Sequence, residues 1–104
     1  PGAHGAGMAR NGKILYSTNL PGGGTEGLFA IDTRAHAVVG TADTPFSAPH
    51  NVALTPNGKK IYVTHSGPQA NQVSVYLVSK KNPDPELLTT VTTGLNPFGL
   101  AFVP

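Results

Sequence analysis

Residues 4–19 read HGAGMARNGKILYSTN, and residues 50–65, at an offset of 46, read HNVALTPNGKKIYVTH. The residues shared at equivalent positions are His4 and His50, Asn11 and Asn57, Gly12 and Gly58, Lys13 and Lys59, Tyr16 and Tyr62, and Thr18 and Thr64. The two stretches align without a gap, and the identical residues are spread over their whole length, which indicates an internal structural repeat.

A third copy begins near the end of the sequence. Residues 97–104, PFGLAFVP, align with residues 49–56, PHNVALTP, at an offset of 48. Spacings of 46 to 48 residues lie in the range of β-propeller blades. The alternative is a β-sandwich, whose strands do not repeat residue by residue at one period. We therefore predict an all-β fold, a β-propeller with two four-stranded antiparallel blades and the first strand of a third.

Each repeat divides into four predicted strands, A to D, that are separated by Gly, Pro and Asn. The predicted strands are A at 4–9, 50–55 and 98–103, B at 13–18 and 60–64, C at 28–32 and 73–78, and D at 37–42 and 87–92. The Asn-Gly pairs at 11–12 and 57–58 predict tight A–B turns with positive φ, and residues 20–27 form the first B–C loop. Blade 1 thus covers 1–47, blade 2 covers 48–95, and 96–104 is the innermost strand of the next blade.

An isolated blade leaves its sheet faces uncovered, so repeats of this kind stack on neighbours. The sequence stops one residue before the Asn-Gly turn expected after strand 98–103. We therefore expect a fragment of a longer propeller. Its partners would be the remaining blades of the same polypeptide or, as the alternative, other copies of the chain.

Composition excludes several classes of function. The seven Lys and Arg residues are spread over 104 positions and predict no nucleic-acid interface. The absence of cysteine excludes disulfides and thiolate metal sites, and no apolar run has the length of a membrane span. We expect a periplasmic or secreted protein.

The motif PHNVALTPNGKKIYVT at 49–64, followed by Val73, Ser74 and Val75, resembles the "YVTN" class of β-propeller repeats and the seven-bladed lactonase-type propellers. The first blade departs from the pattern at Arg10 and Ser17. The resemblance implies that the chain is a fragment of a seven-bladed propeller and, as one alternative function, a lactonase-like hydrolase. Fold alone does not specify activity, and no catalytic set is complete in this chain.

Three histidines are predicted on one face of the propeller. His4 and His50 begin A strands and His65 ends a B strand, so they should lie near the mouth of the central channel. Imidazoles in this arrangement could bind a transition metal, with copper or another divalent ion as the cofactor, or else an anion or a polar small molecule. The alternative is that these histidines form hydrogen bonds to the backbone of the next blade.

The opposite face is predicted to be basic. Lys59 and Lys60 lie at an A–B turn, and Lys80 and Lys81 lie at a C–D turn. They could contact an acidic protein partner, although lysines at exposed hairpin ends also simply maintain solubility. The leading hypothesis is a binding or protein-interaction scaffold that uses the histidine-bearing face. The alternatives are the hydrolase and a metal-binding electron-transfer propeller.

Overall fold

The computed structural model describes residues 2–21 and 24–103. This part of the chain forms eight strands in two four-stranded antiparallel sheets, ordered β1-β2-β3-β4 and β5-β6-β7-β8. The strands are β1 (Ala3–Met8), β2 (Ile14–Asn19), β3 (Gly24–Asp32), β4 (Ala37–Thr44), β5 (Pro49–Leu54), β6 (Lys60–His65), β7 (Gln72–Leu77) and β8 (Glu86–Thr92). Each sheet is one blade, so the predicted all-β propeller architecture is confirmed. Among these residues no helix is long and apolar enough to cross a membrane.

The two A–B turns have the same structure, although not the one expected. Gly12 and Gly58 have positive φ values of 73° and 69°, but neither asparagine before them does. Instead, the Asn11 side chain accepts a hydrogen bond from the Lys13 amide, and the Asn57 side chain accepts one from the Lys59 amide. The glycine supplies the left-handed residue, and the asparagine stabilises the turn through its side chain.

Most predicted strand boundaries differ from the structure by one residue, and two, the start of β3 and the end of β4, differ by more. The strand β3 begins at Gly24 and not at residue 28, because Gly24 pairs with Thr44 on a lengthened β4. The first B–C loop is therefore shorter than 20–27, and its residues Gly22 and Gly23 lie outside the described part of the chain.

The predicted inner strand 98–103 is not a strand in the structure. Residues 97–103 have no regular secondary structure, because no strand of the described residues pairs with them. The segment nevertheless lies against blade 2, where the Asn51 side chain and the Thr64 hydroxyl both donate hydrogen bonds to the Phe98 carbonyl at 2.9 Å.

The hydrophobic core lies between the two blades. Strand residues alternate between the two faces of a sheet, so each blade contributes one set of side chains to this interface. Blade 1 contributes Tyr16, Leu28 and Ala30, and blade 2 contributes Val52, Ile61, Val63 and Tyr76. Leu28, Ile61, Val63 and Tyr76 are completely buried. The stacking of blades, and not the interior of a single blade, therefore provides most of the apolar burial.

Two residues of blade 1 allow the inner strands to approach closely. A Cβ atom at Gly5 would collide with the His50 carbonyl, so this position requires glycine. The buried Thr18 hydroxyl accepts a hydrogen bond from the Gly5 amide at 2.9 Å and donates one to the His50 carbonyl at 2.8 Å. Thr18 therefore fills an irregularity in the β1–β2 ladder and also joins blade 1 to blade 2.

Candidate ligand site on the histidine-bearing face

A row of three aromatic rings lies where the inner strands begin. The centre of the His4 ring is 4.2 Å from that of His50, and the His50 ring centre is 4.0 Å from that of Phe98. These residues occupy the same position in the three repeats, so successive blades place their rings next to one another. The structure thus brings together two of the three histidines predicted as ligands.

His50 is the central and most enclosed ring of the row. Its side chain is 6% exposed, and its Nδ1 atom is buried without a hydrogen-bond partner among the described residues. Burial, with a smaller effect from the neighbouring His4, lowers the pKa of His50 and outweighs a hydrogen bond with the Phe98 backbone that raises it, so the neutral form of the ring is favoured. An unpaired buried nitrogen is costly, by about 1–3 kcal/mol in general, and a ligand could remove that cost.

His65 has a different environment from the other two. It is completely buried, with Nδ1 3.1 Å from the Ser47 carbonyl and Nε2 2.8 Å from the Ser74 hydroxyl. A carbonyl can only accept a hydrogen bond, so Nδ1 carries the proton and Nε2 accepts from Ser74. Phe46 contacts the ring edge-on, with ring centres 5.4 Å apart. Both nitrogens are used, and the arrangement connects β6 to β7 and to the loop before β5.

The described residues do not contain a complete metal centre. No three side chains of His, Asp or Glu within 2–21 and 24–103 form a group that could hold an ion. The pair formed by His4 and His50 would be at most half of such a site, and other ligands would have to complete it.

The four lysines predicted on the opposite face do not form one cluster. Lys59 and Lys80 line a cleft between the two blades, whereas Lys60 and Lys81 are outside it. Lys60 is half-buried at the start of β6, and Lys81 is exposed. A contact of these lysines with a protein partner stays a prediction.

The threonines that join the blades were not recognised as such from the sequence. Thr64 repeats the role of Thr18, since its hydroxyl accepts from the Asn51 amide at 3.0 Å and donates to the Phe98 carbonyl. Threonine hydroxyls thus donate a hydrogen bond to the next blade's backbone, a contact that the sequence had offered only to histidine. The signal was present in the alignment, in which Thr18 and Thr64 are identical, but strand propensity alone accounts for threonine at such a position.

The solved structures that are similar to this chain include two larger proteins. One is Kuenenia stuttgartiensis hydrazine synthase, with a TM-score of 0.79 and 25% sequence identity, over 100% of this chain and 27% of that one. The other is the β-propeller domain of Myceliophteria thermophila Cps50 (Swd1), with a TM-score of 0.69 and 15% identity, over 86% of this chain and 27% of that one. The chain therefore has the fold of β-propeller blades and corresponds to about a quarter of the length of these larger chains.

No family model and no curated protein matches the sequence. Membership in the "YVTN" or lactonase-type repeat families, which the resemblance of residues 49–64 implies, stays a prediction. The chain is a β-propeller scaffold.

Proposed function

We propose that this chain is part of a non-enzymatic binding propeller, and that His4 and His50 bind a divalent transition-metal ion on its histidine-bearing face. The observation that carries the proposal is the buried Nδ1 atom of His50, which has no hydrogen-bond partner within residues 2–21 and 24–103, beside the exposed ring of His4.

The size of the ligand follows from the ring spacing. With ring centres 4.2 Å apart, the His4 and His50 rings are in contact and no ligand fits between them, so a ligand shared by both must be a single ion held at the ring edges. Imidazole nitrogens bind zinc at about 2.0–2.1 Å, and a neutral imidazole is the form that binds metals. The exposed His4 side chain can rotate toward an ion that is bound at His50 Nδ1.

The remaining ligands would come from water or from protein groups beyond the described residues. Such an ion would have two protein ligands supplied by consecutive blades, so it would join the inner strands β1 and β5 on the channel side. This role is that of a scaffold and requires no catalytic residue.

The test uses a substitution that the repeat itself provides. Phe98 occupies the position of His50 in the third repeat and stacks in the same row, so His50→Phe removes the nitrogens and retains an aromatic ring. Isothermal titration of the complete polypeptide with Zn²⁺ and with Cu²⁺ should show saturable binding that His50→Phe or His4→Phe weakens at least about tenfold.

His36→Ala is the matched control, because His36 is an exposed histidine at the turn between β3 and β4. Its loss should leave metal affinity unchanged. Absence of saturable Zn²⁺ and Cu²⁺ binding would refute the proposal, as would affinity that survives both phenylalanine substitutions.

We further propose that the outer face of blade 2 packs against another blade. The Thr64 hydroxyl already donates to the Phe98 carbonyl as the Thr18 hydroxyl donates to the His50 carbonyl of blade 2. Tyr62 and Val73 are only half-buried, whereas Tyr16 and Leu28, at the equivalent positions of blade 1, are buried. The matched tyrosine substitutions described in the Discussion test this packing.

A further inference from the structure

A cleft of about 860 Å³ lies between the two blades on the side opposite the histidines. It lies between the A–B turns of both blades and the loop that joins β7 to β8. Its apolar lining consists of Ala9, Ile14, Tyr16, Leu77 and Val78. A volume in this range is typical of sites for small organic molecules, which run from about 300 to 1,000 Å³.

The charged groups around the cleft are unevenly distributed. Arg10 and Lys59 lie on the wall formed by the A–B turns, while Lys80, Asp84 and Glu86 lie on the wall formed by the β7–β8 loop. The turn wall therefore carries only positive charge.

Asp84 has a structural contact that occupies part of its carboxylate. Its Oδ1 atom accepts a hydrogen bond from the Thr41 amide of β4 at 2.9 Å. In addition, Gly40 lies so close to the Pro83 carbonyl that a Cβ atom would collide with it. The β7–β8 loop is thus held against blade 1, which fixes the far wall of the cleft.

We propose that this cleft binds a small ligand with an aromatic or aliphatic body and one carboxylate group. The apolar lining would contact the body, and Arg10 and Lys59 would hold the carboxylate. Arginine and lysine both form charge-assisted hydrogen bonds with carboxylates. The site is separate from the pair His4 and His50, and neither depends on the other.

The probe for the first experiment is 1-naphthoate, with the uncharged 1-naphthalenemethanol as its matched analogue. Titration of the complete ¹⁵N-labelled polypeptide should give a Kd on the order of 0.1–1 mM for 1-naphthoate, as expected for a ligand of this size. Backbone amide shifts should be centred on Ala9, Ile14, Leu77 and Val78. The alcohol should bind several-fold more weakly, because it lacks the charge.

The repeat supplies the matched control variant. Lys13 is the equivalent of Lys59 in blade 1, at the same position of the same turn, but it does not line the cleft. Lys59→Ala should weaken 1-naphthoate binding about three- to tenfold and leave binding of the alcohol unchanged, whereas Lys13→Ala should affect neither. A well-dispersed amide spectrum of each variant would show that folding is intact.

Four results would overturn the proposal. The first is no saturable shift at millimolar 1-naphthoate, and the second is an equal loss for Lys13→Ala and Lys59→Ala, which would indicate general electrostatic attraction. The third is a shift pattern centred on Val73 and Val91, which would place the probe on the outer sheet face of blade 2. The fourth is tighter binding of a tetraglutamate peptide than of 1-naphthoate, which would assign the cleft to an acidic protein partner.

Discussion

Tyr16 and Tyr62 are the same residue at the same position in the two blades, yet their environments differ. Tyr16 is 7% exposed and belongs to the core between the blades, whereas Tyr62 is only half-buried. Each follows an identical Asn-Gly-Lys turn and lies on the second strand of its sheet. The difference is that Tyr16 faces another blade. Burial in this protein is therefore decided by stacking and not by the composition of a blade.

On the other face of strands β2 and β6, the side chains of blade 2 are more buried than those of blade 1. Ile61 and Val63 of β6 are completely buried against blade 1, whereas Leu15, the equivalent of Ile61, is partly exposed. The two equivalent positions are Leu15 and Ser17 in blade 1 and Ile61 and Val63 in blade 2. The repeat has thus diverged where the two faces have different neighbours.

The largest effect should come from removing the two tyrosines in turn. Tyr16→Ala should lower the free energy of unfolding by about 3–5 kcal/mol, because it leaves a cavity in the core between the blades. Tyr62→Ala should cost about 1 kcal/mol, as is usual for a partly exposed side chain. Urea unfolding of both variants measures the difference.

The two tyrosine substitutions also test whether a further blade packs on the outer face of blade 2 in a longer polypeptide. If a further blade packs on the outer face, the cost of Tyr62→Ala in that polypeptide should rise to the cost of Tyr16→Ala. Equal and small costs for both tyrosines would contradict the conclusion that stacking supplies the core.

Gly5→Ala should have the second largest effect. The added Cβ would meet the His50 carbonyl, so the inner strands must separate, at a cost of about 1–3 kcal/mol. Gly94→Ala is the matched control, since no atom of the described residues lies within 4 Å of the Cβ that it would add. Thermal unfolding of the two variants should show a lower Tm for Gly5→Ala only. A Tm unchanged by Gly5→Ala would mean that the blades are less closely packed than described.

The threonine contacts should have smaller effects. Thr18→Val leaves the Gly5 amide and the His50 carbonyl without their partner, and it should cost about 1–2 kcal/mol in urea unfolding. Thr64→Val removes the equivalent contacts to the segment 97–103, which is largely exposed. Its cost should be about 0.5–1 kcal/mol. A larger loss for Thr64→Val than for Thr18→Val would reverse the order that burial predicts.

The smallest effect should be a dependence of stability on pH through His65. Burial lowers the pKa of this histidine below 6.5, so below pH 6.5 the unfolded chain binds a proton that the folded chain does not. The contribution of His65 to the free energy of unfolding should be constant above pH 6.5 and should decline as the pH falls below that value.

Blade 1 again supplies the comparison, because Asn19 occupies the position of His65. His65→Asn should reduce the decline in Tm between pH 7 and pH 5, and the exposed His36→Ala should leave the slope as it is in the wild type. Since burial also lowers the pKa of His50, part of the slope should remain. A wild-type Tm that rises on acidification would contradict the assignment of His65 as a buried neutral residue.

Much of the fold could be predicted from the repeat, and rather less of the site. Blade order and antiparallel pairing follow from strands that recur at 46 residues with turn residues between them. The boundary of β3 was missed because Thr25 and Glu26 are not strand-like by composition, and only pairing with β4 makes them part of a strand. The hydrogen bonds of His65 were also beyond prediction, because Ser47 and Ser74 lie on different segments of the chain.

The sequence by itself determined that His4, His50 and Phe98 begin equivalent inner strands, because an alignment assigns equivalent positions without coordinates. Only the tertiary structure decided that the rings touch and that His50 Nδ1 is buried without a partner in the described part of the chain. It also decided that Arg10 and Lys59 share a cleft with Leu77. The physical reason is that a repeat specifies hydrogen bonding within one sheet, whereas the distance and the orientation between sheets depend on how their side chains pack.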